Sequence, residues 1–268
     1  MLLTIDIGNT TTAFGLWPDG DDPETEHPLS RWRLSSARER TADEWRSLVE
    51  PHLAAALAPG EQVRGVVVSS VVPAITDAIN RLVESWLGVP PLLITPDLDL
   101  GIQVRTDAPR ETGADRIVNC AAAYARFGGP TIVVDTGTAT KIEAITADGA
   151  FIGGVIAPGV AISLDALATR AARLYAVELR LPAHAVGRNT VTALQSGVVA
   201  GHLAMIEGMV RRVSEEIGGA KAVVLTGGNA EIFAGASACF TAYEPDLTLR
   251  GLRLVWHRNR DRATAPGP

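Results

Sequence analysis

The chain has 268 residues, 47% hydrophobic and 20% charged, with a formal net charge of −6, which suits two domains of about 130 residues that each bury a core. No Lys/Arg cluster alternates with aromatics, which excludes an extended nucleic-acid surface, so an anionic substrate would be held by local donors. Cys120 and Cys239 stand far apart without Cys-x-x-Cys or histidine spacing, which excludes a disulfide framework and a zinc site.

Read from the N-terminus, three short strands are predicted in succession at 2–7, 12–17 and 29–34, the last two joined by an acidic, proline-rich loop at 18–28. A helix follows over 41–57, where Trp45, Leu48, Val49, Leu53 and Leu57 recur at helical spacing. Strand 63–68, helix 73–87 and strand 91–94 come next. Three strands and then alternating helix and strand is the order of a ribonuclease-H-like lobe. The segment 113–127 reads as a helix stopped by Gly128-Gly129-Pro130. The strand pattern then restarts at 131–134, 138–145 and 151–156. A long helix over 190–213 carries Val191, Leu194, Val198, Met205, Met209 and Val213 largely on one stripe, and strand 222–225 leads into the turn Thr226-Gly227-Gly228-Asn229. Residues 261–268 read as a disordered tail. The expected fold is α/β, with two ribonuclease-H-like lobes, 1–128 and 129–268, and an active-site cleft between them. The N-terminus enters strand and turn without a basic region or cleavage site, and no apolar stretch reaches about 18 residues, so a cytoplasmic protein without a membrane partner is expected.

One pattern occurs twice. Asp6-Ile7-Gly8-Asn9-Thr10-Thr11-Thr12-Ala13 and Asp135-Thr136-Gly137-Thr138-Ala139-Thr140 each follow an apolar strand and place a carboxylate, a glycine turn and hydroxyls in the same order. Glycine lets the backbone approach an anion closely, and turn amides and hydroxyls donate to phosphate oxygens. The aspartate can hold a hydrated cation. A single copy would be an ordinary hairpin turn; two copies half a chain apart predict two related lobes that clamp a nucleotide's phosphates. No Gly-x-x-x-x-Gly-Lys-[Ser/Thr] occurs, nor a Gly-x-Gly-x-x-Gly after a strand, nor a Gly-x-Ser-x-Gly elbow. The five histidines are scattered without ligand spacing.

The third constellation is Glu111-Thr112-Gly113-Ala114-Asp115-Arg116. Asp115 falls in the first turn of its helix, where the dipole favours the ionised form. Such a carboxylate can accept the proton of an attacking hydroxyl, and Arg116 can bind a carboxylate or steady transferring phosphoryl charge.

With these motifs the chain resembles the type III pantothenate kinases, members of the actin-like and sugar-kinase superfamily. The resemblance runs nearly end to end through Asp6-x-Gly8-Asn9-Thr10, Gly113-Ala114-Asp115-Arg116-Ile117-Val118-Asn119, Asp135-x-Gly137-Thr138-Ala139-Thr140, Gly153 to Gly159, Gly187-Arg188-Asn189-Thr190-Val191, Gln195-Ser196-Gly197, Thr226-Gly227-Gly228 and Leu247 to Leu252. It implies ATP-dependent phosphorylation of pantothenate's primary hydroxyl, the first step of coenzyme A synthesis. It further implies that Asp6 through Ala13 cradle the ATP phosphates and Mg²⁺, and that Thr138 is the second phosphate contact. By the same resemblance Asp115 is the general base, Gly113 through Arg116 hold pantothenate, Thr190 reaches it from the long helix, and Asp135 matches a monovalent-cation ligand for K⁺ or NH₄⁺. A homodimer whose pantothenate pocket is completed across the interface is implied as well.

Two departures stand out. The family commonly reads Thr-Thr-Phe-Asp after Gly-Thr-Ala, whereas Thr140 is followed here by Lys141-Ile142-Glu143, and Thr106 stands where many members carry a substrate-contacting Tyr. The offset of three between Thr138 and Lys141 predicts an outward-facing lysine on the opposite strand face; against this, an ammonium close to Asp135 would neutralise the carboxylate without any ion. Three alternatives follow: a kinase for another hydroxyl acceptor, a nucleotide-binding regulatory homologue with little turnover, and a phosphohydrolase. Arg105, Arg110 and Arg188 are candidates to hold the acceptor's carboxylate.

Overall fold

The computed structural model describes residues 1–20, 27–170 and 177–263, so parts of the expected 18–28 loop and the 264–268 end of the expected tail lie outside the described residues. In chain order the elements are β1 (Leu2–Ile7), β2 (Thr11–Trp17), β3 (Ser30–Ser35), α1 (Ala42–Ala56), β4 (Gly65–Ser70), α2 (Pro73–Leu82), β5 (Pro91–Leu93), β6 (Gln103–Val104) and α3 (Ala114–Phe127). They continue as β7 (Thr131–Thr136), β8 (Ala139–Ile145), β9 (Ala150–Pro158), α4 (Val160–Arg170), α5 (Thr190–Leu194), α6 (Gly201–Glu216), β10 (Ala222–Thr226), β11 (Ala242–Tyr243) and α7 (Leu247–Ala263).

The first unit comprises 1–122 and 246–268. Its sheet runs β3-β2-β1-β4-β5, with β1/β2 and β2/β3 antiparallel and β1/β4 and β4/β5 parallel. β1 is apolar almost throughout because both sheet faces are covered, the condition that removes the polar-out alternation of a one-sided sheet. Leu3, Ile5 and Ile7 pack with Phe14 and Leu16 against Trp45, Val49 and Leu53 of α1 and Ile75 and Ile79 of α2. The opposite parity, with Leu2, Trp17 and Val67, meets Ile117 and Val118 of α3 and Leu249, Leu252 and Val255 of α7. Each such buried side chain contributes about 1.5–3 kcal/mol. Within the first cluster the Phe14 and Trp32 rings stack at 5.2 Å, which adds roughly 0.5–1.5 kcal/mol. Thr4, buried in mid-strand, donates to the Gly15 carbonyl at 3.1 Å and accepts from Trp17 Nε1 at 3.0 Å.

Helix starts follow local chemistry. Thr41 caps α1 by accepting from the Glu44 amide at 3.3 Å, while Glu44 accepts from the Thr41 amide at 2.8 Å. That amide, followed by the Thr41 hydroxyl, lowers the Glu44 pKa. Pro73 opens α2, where its missing N–H costs nothing.

The division departs from the expected boundary at 128/129. Helix α7 belongs with the first sheet: its apolar stripe is buried there, Asp246 at its start pairs with Arg31 of β3 at 2.5 Å, and near its end Asn259 exchanges two hydrogen bonds with the Asp99 backbone at 2.8 and 3.0 Å. Residues 261–263, expected in the tail, continue α7.

The second unit comprises 123–245. Its strands β9-β8-β7-β10-β11 repeat the first arrangement step for step, with β7/β8 and β8/β9 antiparallel and β7/β10 and β10/β11 parallel. Ile132 and Val134 of β7 and Ile142 and Ala144 of β8 pack on Val160 and Leu164 of α4 and Ile206, Val210 and Val213 of α6. The predicted long helix is present as one helical run whose middle turn, Gln195–Ala200, is wider than an α-helix. This run, Thr190–Glu216, is long and apolar enough by length and composition to cross a membrane, a property that the core helix of a soluble protein can share. In this unit its Val198, Val199, Ile206, Val210 and Val213 lie in the core.

Candidate active site

The first repeat closes as a hairpin at the carboxyl end of β1. Ile7 faces Thr12 across the ladder, and the Gly8 amide donates to the Thr11 carbonyl at 3.1 Å, which leaves Asn9, Thr10 and Thr11 exposed at the tip. Asp6 lies one position before this turn, with Ala13 opposite it on β2 and Ser69 beside it on the parallel strand β4. The buried Ser69 donates its hydroxyl to Asp6 Oδ1 at 2.5 Å. The segment after β3 supports the same turn: the Ser36 amide donates to the Thr10 carbonyl at 2.9 Å, Ser36 and Thr12 hydroxyls lie 2.9 Å apart, and Arg38 reaches Asn9 Oδ1 at 3.4 Å.

Asp115 stands at the start of α3, where the Arg116 and Ile117 amides donate to the Gly113 carbonyl. Its carboxylate folds over Gly113: a Cβ added there would lie 2.6 Å from Asp115 Oδ1 and 3.6 Å from Val71 Cγ1. Val71 in turn donates its amide to the Ile7 carbonyl at 3.1 Å. Asp6, Ser69, Val71, Gly113 and Asp115 therefore form one connected group at the carboxyl ends of β1 and β4, where open α/β sheets bind ligands. Thr106 and Thr112 hydroxyls, 3.0 Å apart, tie the segment that leads into Gly113.

In the second repeat the Gly137 amide donates to the Ala139 carbonyl at 3.0 Å. Three hydrogen bonds from two neighbours brace this turn. Asn229 donates through its backbone amide to the Thr136 carbonyl at 2.8 Å and through its side chain to the Gly137 carbonyl at 3.3 Å; the Gly159 amide donates to the Thr138 carbonyl at 3.0 Å. Gly227 has φ +104, and a Cβ there would stand 2.4 Å from Asp135 Oδ1, so only glycine lets this loop approach the carboxylate. Thr140 shares a 2.8 Å hydrogen bond with His202 Nε2 of α6, a ring stacked on Phe233 whose burial lowers its pKa.

The outward-facing expectation for Lys141 is corrected here, in favour of the alternative that placed its ammonium close to Asp135. Lys141 lies directly opposite Asp135 in the β7/β8 ladder, and its Nζ pairs with Asp135 Oδ2 at 2.8 Å. Side-chain direction alternates along one strand, but cross-strand partners share a face. Counting from Thr138 in the turn was therefore the wrong reference.

Thr190 begins α5 behind an Asn189–Thr192 capping box, beside a cavity of about 480 Å³ lined by Arg180, His184, Arg188, Asn189 and Gln195 among others. Of the three arginine candidates, Arg188 faces this cavity, whereas Arg110 pairs with Asp97 at 3.5 Å and Arg105 bonds Gln103 at 2.8 Å. The predicted residues thus assemble as local groups: Asp6 through Ala13 with Gly113 through Arg116, Asp135 with Thr138, and Thr190 at the cavity. Sequence reasoning missed Ser69, Ser36, Arg38, Asn229 and His202. Two of them carried a signal, Ser69 as one of two serines ending an apolar strand and Asn229 as the close of the Thr226-Gly227-Gly228 turn.

The type III pantothenate kinase family model matches residues 2–212. A type III pantothenate kinase of Roseiflexus sp. (strain RS-1) is 43% identical over 260 residues, 97% of this chain and 100% of that protein. One from Thermomicrobium roseum is 46% identical over 260 residues, 96% of this chain and 97% of the other. Among solved structures, a conserved Campylobacter jejuni protein described as a Baf family transcriptional activator is similar with a TM-score of 0.61 at 20% identity, over 97% of this chain and 99% of that one. The activator of the 2-hydroxyisocaproyl-CoA dehydratase from Clostridium difficile gives 0.50 at 16% identity, over 100% and 98%. At these identities the structural likeness speaks for the fold alone.

Proposed function

Because the chain belongs to the type III pantothenate kinase family, we propose that it transfers the γ-phosphoryl group of ATP to the primary hydroxyl of pantothenate, giving 4'-phosphopantothenate and ADP in the first step of coenzyme A synthesis. The observation that carries the reading is the connected group of Asp6, Ser69, Gly113 and Asp115, a phosphate turn and a helix-start carboxylate at the same strand ends.

Asp115 accepts the hydroxyl proton as the pantothenate oxygen bonds to the γ-phosphorus and the bond to the β-phosphate oxygen breaks. The turn from Ile7 to Ala13 supplies backbone and hydroxyl donors to the phosphates. Asp6 suits Mg²⁺: Ser69 orients its carboxylate and the cross-strand neighbour, Ala13, is uncharged, a donor set matching a cation held by one or two carboxylates and substrate phosphates. When bound, Mg²⁺ supplies charge neutralisation between the phosphates. Gly113 through Arg116 bind the acceptor, and in the second unit Thr190 stands beside a cavity whose Arg180 and Arg188 suit a carboxylate. Both substrates are small and soluble, in keeping with a cytoplasmic enzyme.

Asp135 is the position implied for a monovalent cation. Its carboxylate already pairs with an ammonium at 2.8 Å, so the residues present do not suit K⁺ or NH₄⁺.

The protein works as a homodimer. Support comes from large apolar side chains left exposed on the second unit, among them Ile152 and Ile156 on one face of β9, Ile162 and Leu167 on α4, and Val186, which is 80% exposed.

ADP release measured with and without pantothenate tests the reading. Turnover that requires pantothenate is expected. Equal release without an acceptor would make the protein a phosphohydrolase, turnover only with another alcohol would change the acceptor, and none at all would leave a nucleotide-binding homologue.

A further inference from the structure

The two repeats form an internal comparison. Asp6 and Asp135 hold the same place, one residue before the turn on the central strand of each sheet. Their parallel-strand neighbours both carry hydroxyls, Ser69 for Asp6 and Thr226 for Asp135. Their hairpin partners differ: Ala13 faces Asp6, whereas Lys141 faces Asp135.

That difference places a full positive charge in the second turn. Lys141 Nζ lies 2.8 Å from Asp135 Oδ2, and both side chains are only 15% exposed. Glu143, two residues on and therefore on the same strand face, is 1% exposed, and its Oε2 would lie 2.6 Å from a Cβ at Gly154 on the neighbouring strand. The ammonium thus meets a carboxylate across the ladder, and a buried second carboxylate, Glu143, stands on the same strand face. A monovalent cation entering beside Asp135 would have to displace the ammonium or sit against it, and like charges at contact distance in a partly buried site repel strongly.

We infer that Lys141 is a tethered replacement for the monovalent cation, neutralising Asp135 beside the second phosphate turn so that this chain works without K⁺ or NH₄⁺. The inference deepens the kinase reading and rests on it for its activity readout. The tether carries a testable cost: an ammonium on a four-carbon stem is fixed in the fold at all salt concentrations, whereas a free ion is bound only by mass action.

The test uses the full chain and its Lys141→Thr variant in Tris buffer, with KCl exchanged against choline chloride at constant ionic strength. Two quantities are read: melting temperature without substrates, and pantothenate-dependent ADP release. In the unmodified protein neither should respond to K⁺. In Lys141→Thr, K⁺ should raise the melting temperature by several degrees through binding at Asp135 and raise turnover by about an order of magnitude through the restored charge. K⁺-dependent stabilisation or strong K⁺ activation of the unmodified protein would overturn the inference, as would a well-folded Lys141→Thr indifferent to K⁺ in both readouts. If Lys141→Thr fails to fold, the K⁺ response of the unmodified melting temperature still decides. Absence of turnover in every salt would count against the kinase reading, while the melting data would continue to judge Lys141.

Discussion

Two residues of the proposed site in the first unit, Asp115 and Gly113, can be separated experimentally. Asp115→Asn is nearly isosteric and keeps the helix start, so the fold and ATP binding should persist. Turnover should fall by about 10² to 10⁴, the usual contribution of a positioned general base. Near-normal rates by steady-state kinetics would reduce Asp115 to an acid that favours the α3 dipole. Gly113→Ala leaves the carboxylate chemically intact but moves it, because the new methyl would lie 2.6 Å from Asp115 Oδ1. We expect kcat to fall by about tenfold or more, since small misplacements of reacting groups are costly, with the KM for ATP little changed. A rise in the ATP KM alone would mean that Gly113 acts on the nucleotide instead.

At the scale of elements, α6 is coupled to the second phosphate turn through His202 and Thr140. Burial lowers the imidazole's pKa in the folded state, so the neutral ring is favoured on folding. The linkage sign follows: the unfolded chain binds this proton first, so stability is complete above the ordinary imidazole value of about 6.5 and is lost progressively as pH falls below it. Melting temperature should therefore drop between neutral pH and about pH 5, and His202→Gln should flatten part of that slope while lowering stability at neutral pH. An unchanged slope in His202→Gln would assign the acid sensitivity to the carboxylates.

The molecule as a whole leaves apolar surface exposed chiefly on its second unit, and a second copy is the expected occupant. Ile156, 63% exposed on β9, and Val186, 80% exposed, are the sharpest probes because neither belongs to the buried core. The double substitution Ile156→Glu with Val186→Glu should leave the melting transition cooperative yet convert a dimer to a monomer in light scattering. It should also cost activity if Thr190 completes the neighbouring protomer's pocket. An unmodified protein that runs as a monomer at micromolar concentration would remove the premise.

Much of this was legible in the chain itself. The two Asp-x-Gly turns, their preceding apolar strands and the order of strand and helix depend on local sequence: turn chemistry, apolar period and propensity act over a few residues, and they predicted two related lobes and the Asp115 helix start. What failed was decided at long range. The apolar residues of Leu247 to Val255 do not by themselves name the sheet they pack on, and burial of Leu249, Leu252 and Val255 against the first sheet assigns α7 to that unit. Ser69 became a partner of Asp6 through the parallel β1/β4 register, 63 residues apart in sequence. The parity argument that turned Lys141 outward failed for the same reason. The lysine's direction is set by the residue facing it across a ladder, and register is a property of two strands that neither strand's sequence states alone.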